Sequence, residues 1–213
     1  MQIAVLLFDE LNALDAVGPY EVLRALPGAG VCFVAADPGP KTTESGALAL
    51  VAGHALHAVP RPDIVVVPGG RGELDARADE RVIEWLRSAH DAAQWTTSVC
   101  TGALLLGAAG LLAGKRATTH WTALEALREL GADVVANERV VFDGKIVTAA
   151  GVSAGIDMAL TLATEIAGPE VAQAIQLDLE YDPQPPHDTG STAKAPPALA
   201  ERILAASRFA RTT

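Results

Sequence analysis

Short runs of β-branched and aliphatic residues alternate along this chain with segments whose apolar positions recur every three or four residues. The runs at 3–8, 31–36, 64–67 and 95–99 read as strands and the segments between them as helices, the βαβ signature of a parallel sheet covered on both faces. The first crossover helix is expected to start at Gly18-Pro19, because proline is pre-organised for the first helical position. It should run through Val22, Leu23 and Leu26 to the Pro27-Gly28 stop, which leaves Asp15 in the loop ahead of it, at the carboxyl side of the first strand.

Over residues 41–62 the pattern gives way to glycines and alternating apolar positions around Leu48 and Leu50, which suits a short antiparallel excursion. Val82, Ile83, Leu86 and Ala89 then mark a surface helix over 79–92. After Cys100 the run from Gly102 to Leu112 is apolar on every face, so its helix must lie buried against the sheet, with Gly114 as its end. Trp121, Leu124, Leu127 and Leu130 form a shorter stripe that stops at Gly131. Asp143-Gly144, between 140–142 and 146–148, predicts a hairpin, and helices follow over 153–167 and 170–179, broken at Gly168-Pro169. Residues 182–197 hold five of the 13 prolines, too many for a helix, and read as a wrapping arm before an amphipathic helix over 198–211.

The expected fold is therefore α/β, a mostly parallel sheet sandwiched between helices. At 213 residues and 50% hydrophobic composition the chain buries one substantial core, so a single domain over 1–213 is expected, its arm and short C-terminal helix at about 182–213. With only 4% aromatic residues, that core is built from small aliphatic side chains. A formal charge of -10 repels a phosphate backbone, which argues against a nucleic-acid partner. The first strand runs straight into Asp9-Glu10 without a basic start, and no stretch of about 18 apolar residues occurs, so neither a signal peptide nor a membrane span is expected. The expected compartment is the cytoplasm, with Cys32 and Cys100 as thiols.

The strand at 95–99 feeds directly into Cys100, and a helix starts at Thr101 or Gly102 with no loop between. Such a sharp turn projects one side chain at the carboxyl edge of the sheet, where ligands bind in open α/β folds. There the helix N-terminus favours the thiolate, the attacking form of cysteine. Asp15 follows the first strand at the same edge, so it can act as proton donor or acceptor, although a carboxylate before a Gly-Pro dipeptide is more often a turn residue. Gly69 and Gly70 after the third strand let backbone approach a ligand and offer N–H groups, while the Thr101 hydroxyl can orient water or a substrate atom. The histidines at 54, 57, 90, 120 and 187 form no metal-like spacing with cysteine or carboxylates, and His120 reads as bonding backbone; no dinucleotide or phosphate-loop fingerprint occurs. Neither a metal nor a cofactor is expected. Cys32, mid-strand, reads as core.

Ser98-Val-Cys-Thr-Gly102, Leu104-Leu-Leu-Gly-Ala-Ala-Gly-Leu-Leu112 and Gly114-Lys-Arg-Ala-Thr-Thr-His-Trp121 together resemble the ThiJ/PfpI superfamily. Leu14-Asp-Ala-Val-Gly-Pro19, Val67-Pro-Gly-Gly70 and Gly151-Val-Ser-Ala-Gly155-Ile-Asp157 extend the resemblance over about residues 1–180. It implies a flavodoxin-like sheet with a cysteine nucleophile elbow, and a homodimer. Within the superfamily, Cys100-Thr101, the early aspartate and Gln176-Leu-Asp-Leu-Glu-Tyr-Asp-Pro-Gln-Pro-Pro186 are similar to isocyanide hydratases. That implies an isonitrile substrate, Cys100 as nucleophile, Asp15 as proton partner, and Gly70 with Thr101 holding water or developing charge. Val152 and residues 46–57 are where pocket shape can depart from those enzymes. The same motifs occur in the sensor domains of AraC-type regulators, which keeps a non-catalytic ligand or redox sensor open beside a glyoxalase or deglycase acting on 2-oxoaldehydes.

Overall fold

The computed structural model describes residues 1–210. In chain order the strands are β1 (Gln2–Leu6), β2 (Gly30–Ala35), β3 (Gly39–Thr42), β4 (Ala49–Ala52), β5 (His54–Ala55) and β6 (Ile64–Val67). They continue as β7 (Trp95–Val99), β8 (Arg116–Ala117), β9 (Asp133–Val134), β10 (Val140–Asp143) and β11 (Ile146–Ala149). The helices are α1 (Ala13–Leu23), α2 (Glu73–Ala78), α3 (Glu80–Ala92), α4 (Gly102–Ala108), α5 (Leu124–Glu129), α6 (Ala154–Ala167), α7 (Pro169–Asp178) and α8 (Pro197–Ala206). Seven strands form the central sheet in the order β10-β11-β7-β6-β1-β2-β5. Every pairing in it is parallel except β10 with β11, the hairpin that turns at Asp143-Gly144. Helices α1, α6 and α7 pack together, as do α2 to α5, and the two groups sandwich the sheet.

All four residues of β6 are completely buried, as are Ile3 to Leu6 of β1, because a parallel strand is covered on both faces and needs an apolar run rather than alternation. Each such aliphatic side chain contributes about 1.5–3 kcal/mol relative to exposure. Residues 41–62 do make an antiparallel excursion, in which β3 pairs β4 from Gly39↔Ala52 to Thr42↔Ala49, before β5 returns parallel to β2.

Two boundaries differ from expectation. Helix α1 starts at Ala13, not at Pro19, because the Asn12 side chain accepts from the Leu14 N–H at 3.2 Å and caps the first turn. Pro19 therefore sits inside the helix, where it removes the bond to the Asp15 carbonyl. Close packing on α6 compensates: glycine at 18 admits Ile156, and glycine at 155 admits Pro19 and Val99, each within about 3.1 Å of where a Cβ would stand. Asp15 is thus in the first turn of α1 rather than in a loop. Asn12→Ala is expected to cost about 1 kcal/mol of stability, read as a lowered midpoint in urea.

The second difference is α4, which ends at Ala108 rather than near Gly114; Gly110, at φ +79, already carries the chain out of the helix. The arm after α7 has no helix until α8, which stops at Ala206, short of the expected 198–211, because Ser207 turns extended; Arg211 lies outside the described residues. Among the described residues no helix is long and apolar enough to cross a membrane.

Candidate active site

Cys100 ends β7 with φ +56, a left-handed conformation that costs a non-glycine residue about 1–3 kcal/mol unless its surroundings impose it. They do so here. The Cys100 N–H reaches the carbonyls of Ala149 and Ala150, both at 3.1 Å, and the Cys100 carbonyl accepts from the Thr119 hydroxyl at 2.7 Å. Glycine at 102 is required by crowding, since a Cβ there would stand 2.2 Å from the Val67 carbonyl oxygen. Strand β7 and helix α4 are therefore joined by a two-residue elbow, as the sequence implied.

Asp15 is completely buried beside that elbow. The Gly69 N–H donates to its Oδ2 at 3.0 Å, whereas Oδ1 is buried with no hydrogen-bond partner of regular geometry. The Cys100 thiol is near enough that each group shifts the other's titration. Burial pushes the Asp15 carboxyl up to about 7, against the Gly69 and Cys100 hydrogen bonds that pull it down. Burial also pushes the Cys100 thiol well up, the Asp15 charge adds to it, and the Thr101 N–H only partly opposes them. The helix N-terminus thus offers the sulfur one amide, that of Thr101, against its removal from water and the Asp15 charge.

Glycine at 69 is what lets the carboxyl and the elbow meet. A Cβ there would lie 2.6 Å from both the backbone N and Oγ1 of Thr101, and 3.0 Å from Asp15 Oδ2. Gly69→Ala is expected to displace the Asp15 carboxyl and lower turnover about a hundredfold, as misplacement by an ångström does. Circular dichroism alongside kcat/KM checks that the loss is local. Gly70, at φ +136, donates its N–H to Thr101 Oγ1 at 3.0 Å, and that hydroxyl lies 3.4 Å from the Gly70 carbonyl. Both glycine amides are engaged by site side chains.

A cavity of about 710 Å³ opens over the thiol. Cys100, Thr101, Gly70 and Val152 line it, while Asp15 and Gly69 sit behind that surface. His120 lines it as well, and its Nδ1 accepts the Thr122 N–H at 3.3 Å, capping the short turn at Trp121–Ala123. The same Nδ1 lies 2.7 Å from the Thr122 hydroxyl, so the ring bonds both backbone and side chain of Thr122. Gly151 makes the room: a Cβ there would overlap His120 at 2.1 Å. Asn12, Glu44 and residues 206–209 also line the cavity and were not foreseen. Asn12 was discoverable from its position before an apolar helical stripe; Glu44 and the C-terminal residues arrive through long-range folding that leaves no local pattern. Cys32 is half-buried, its thiol 3.5 Å from the Ile3 carbonyl, and both cysteines are free. Among the described residues no group of three or more His, Cys, Asp or Glu is arranged to hold a metal ion.

The sequence pattern of the DJ-1/PfpI family matches residues 1–165. The chain belongs to the DJ-1/PfpI family. Among curated relatives, this DJ-1/PfpI chain is 47% identical to the isonitrile hydratase of Pseudomonas putida over 94% of its own length and 87% of the relative's. The HTH-type transcriptional regulator CdhR of Pseudomonas aeruginosa is 33% identical over 65% of this chain but only 41% of the regulator. A crystal structure of a ThiJ/PfpI family protein from Pseudomonas syringae superposes with a TM-score of 0.91 at 36% identity, covering 95% of this chain and 84% of that one. Drosophila melanogaster DJ-1beta shares the fold, with a TM-score of 0.76 at 23% identity over 85% and 98% of the two chains. The α/β sandwich of this DJ-1/PfpI chain is thus the flavodoxin-like one its motifs implied.

Proposed function

We propose that this protein hydrates isonitriles to N-substituted formamides, with Cys100 as nucleophile and Asp15 as its proton partner. The observation that carries the reading is an elbow thiol, lining a cavity, coupled to a wholly buried carboxyl that the Gly69 N–H holds by one oxygen. The relative named isonitrile hydratase, matched over most of both chains, supports the same chemistry.

The steps balance without an oxidant or reductant. With Asp15 ionised, the thiol passes its proton to the carboxylate as sulfur attacks the terminal isonitrile carbon. The new C–S bond leaves the lone pair on carbon, which takes the proton back from Asp15 to give a thioimidate. Water then adds to that carbon, Asp15 taking one of its protons and passing it to the nitrogen, so that the tetrahedral adduct forms with Asp15 ionised again; the remaining hydroxyl proton goes to sulfur as C–S breaks. Breaking C–S releases the N-substituted formamide and returns the thiol. Thr101 Oγ1, held by Gly70, orients the water. This reading places the protein in the cytoplasm as a homodimer, which sedimentation velocity checks.

The direct test incubates the purified protein with an aryl isocyanide and follows the formamide chromatographically. Steady formamide release at a rate proportional to enzyme supports the reading. Turnover of methylglyoxal with none of the isocyanide would replace it by the oxoaldehyde reading.

A further inference from the structure

One part of the cavity wall comes from a place remote in sequence. Ala206, the last residue of α8, and Ser207, Arg208 and Phe209 just past it line the same cavity as Cys100 and Thr101. Helix α8 itself buries no residue, with Ile203 and Leu204 47% and 39% exposed, so its own packing does little to hold this segment in place. What holds it is Arg208. Its Nη2 donates to Glu73 Oε1 at 2.6 Å and to the Gly70 carbonyl at 3.3 Å, and its Nη1 donates to the Arg71 carbonyl at 2.7 Å. The guanidinium also lies 4.7 Å from the centroid of the Phe209 ring, which is half-buried against the core.

Glu73, in the first turn of α2, is completely buried, and its other carboxylate oxygen lies 2.8 Å from Arg77 Nε. A carboxylate taken wholly out of water between two guanidiniums is strongly dependent on both, because removing one leaves buried charge under-compensated. The Gly70 carbonyl that Arg208 reaches also lies 3.4 Å from Thr101 Oγ1, next to the nucleophile. Arg208 is paired with Glu73, so the segment presents to the cavity two small side chains and an aromatic ring beside that ion pair.

We propose that residues 206–209 form the outer wall of the substrate cavity, that Arg208 is a positioning residue latching this wall onto Glu73 and the Gly70 carbonyl, and that Phe209 selects isonitriles bearing a flat aromatic group. The selection rests on the isonitrile reading; the wall does not. An aromatic substituent gains a ring partner in Phe209 that a compact alkyl group cannot use.

The experiment compares wild type, Arg208→Ala, Arg208→Lys and Phe209→Leu in two assays. In the first, 4-nitrophenyl isocyanide and tert-butyl isocyanide are the substrates. Phe209→Leu is expected to raise KM for the aryl compound about fivefold and for the alkyl compound less than about twofold. Arg208→Ala raises KM for both about tenfold while kcat falls less than about threefold, and Arg208→Lys recovers part of the loss through the single contact to Glu73. The second assay follows alkylation of Cys100 by N-phenylmaleimide and by iodoacetamide using mass spectrometry, with Cys32 in the same molecule as the reference. Here Arg208→Ala raises the bulky-to-small rate ratio about tenfold, whatever the natural substrate. Absence of wild-type turnover would defeat the isonitrile reading alone, and the alkylation ratio would still decide the wall. An unchanged ratio in Arg208→Ala and Arg208→Lys overturns the wall; an unchanged aryl-to-alkyl KM ratio in Phe209→Leu overturns the selection.

Discussion

Cys100→Ala brings formamide production to background, a loss of at least about 10⁴-fold, with the fold intact. Cys100 is the thiol at this cavity, and the neighbouring Thr101 Oγ1 is committed to Gly70. Alanine pays the same backbone cost at φ +56 as cysteine, so the melting temperature separates chemistry from folding. Cys100→Gly sharpens the comparison. Glycine adopts that conformation freely, so this variant is equally inactive yet retains or gains stability, by up to about 1 kcal/mol. Measurable turnover by either variant would move the nucleophile elsewhere.

Asp15→Asn has the second-largest expected effect, and its signature is in the pH profile. In the wild type the Asp15 carboxyl, pushed up to about 7, must be ionised to receive the thiol proton, so kcat/KM rises through about pH 7. Glu44, at the cavity, adds to the upward push on both groups. Asparagine cannot take the proton; kcat/KM falls by about 10²–10⁴ and the limb near 7 disappears, leaving only the thiol's own ionisation at higher pH. Stability moves the other way. Between the ordinary 3.8 and about 7 the folded chain retains a proton that the unfolded chain has released, so wild-type stability falls across that window and is flat above it. The buried charge costs roughly 4 kcal/mol above pH 7, and asparagine returns part of the gain because its amide takes the place of the unpartnered Oδ1. A net gain of roughly 1–3 kcal/mol at pH 8, and a flattened pH dependence of the urea midpoint, are the expected results. A residue there for stability alone would show the opposite sign.

The parallel sheet was legible because its strands are short and rich in β-branched residues: residues 64–67 and 95–99 were read at their observed limits. The elbow was legible too, since no loop residues separate Val99 from Gly102 beyond Cys100 and Thr101. Helix α1 was misjudged because Pro19 carries a strong starting signal, while the true start depends on one side-chain bond from Asn12 and on packing against α6. The helix N-terminus beside Cys100 can be read locally, whereas the burial that pushes its thiol the other way depends on the whole fold. The wall at 206–209 could not be read, because Arg208 finds Glu73 across 135 positions of the chain.

That distance has a consequence during synthesis. The sheet is complete once Ala149 has been made, but the residues that enclose the thiol come only with 206–209. At ribosomal rates of about 5–20 residues per second, the nascent chain carries its elbow uncovered on that side for roughly 3–12 s. Translation of residues 206–209 thus ends the interval in which the cell's oxidants and electrophiles meet the sulfur with one wall missing.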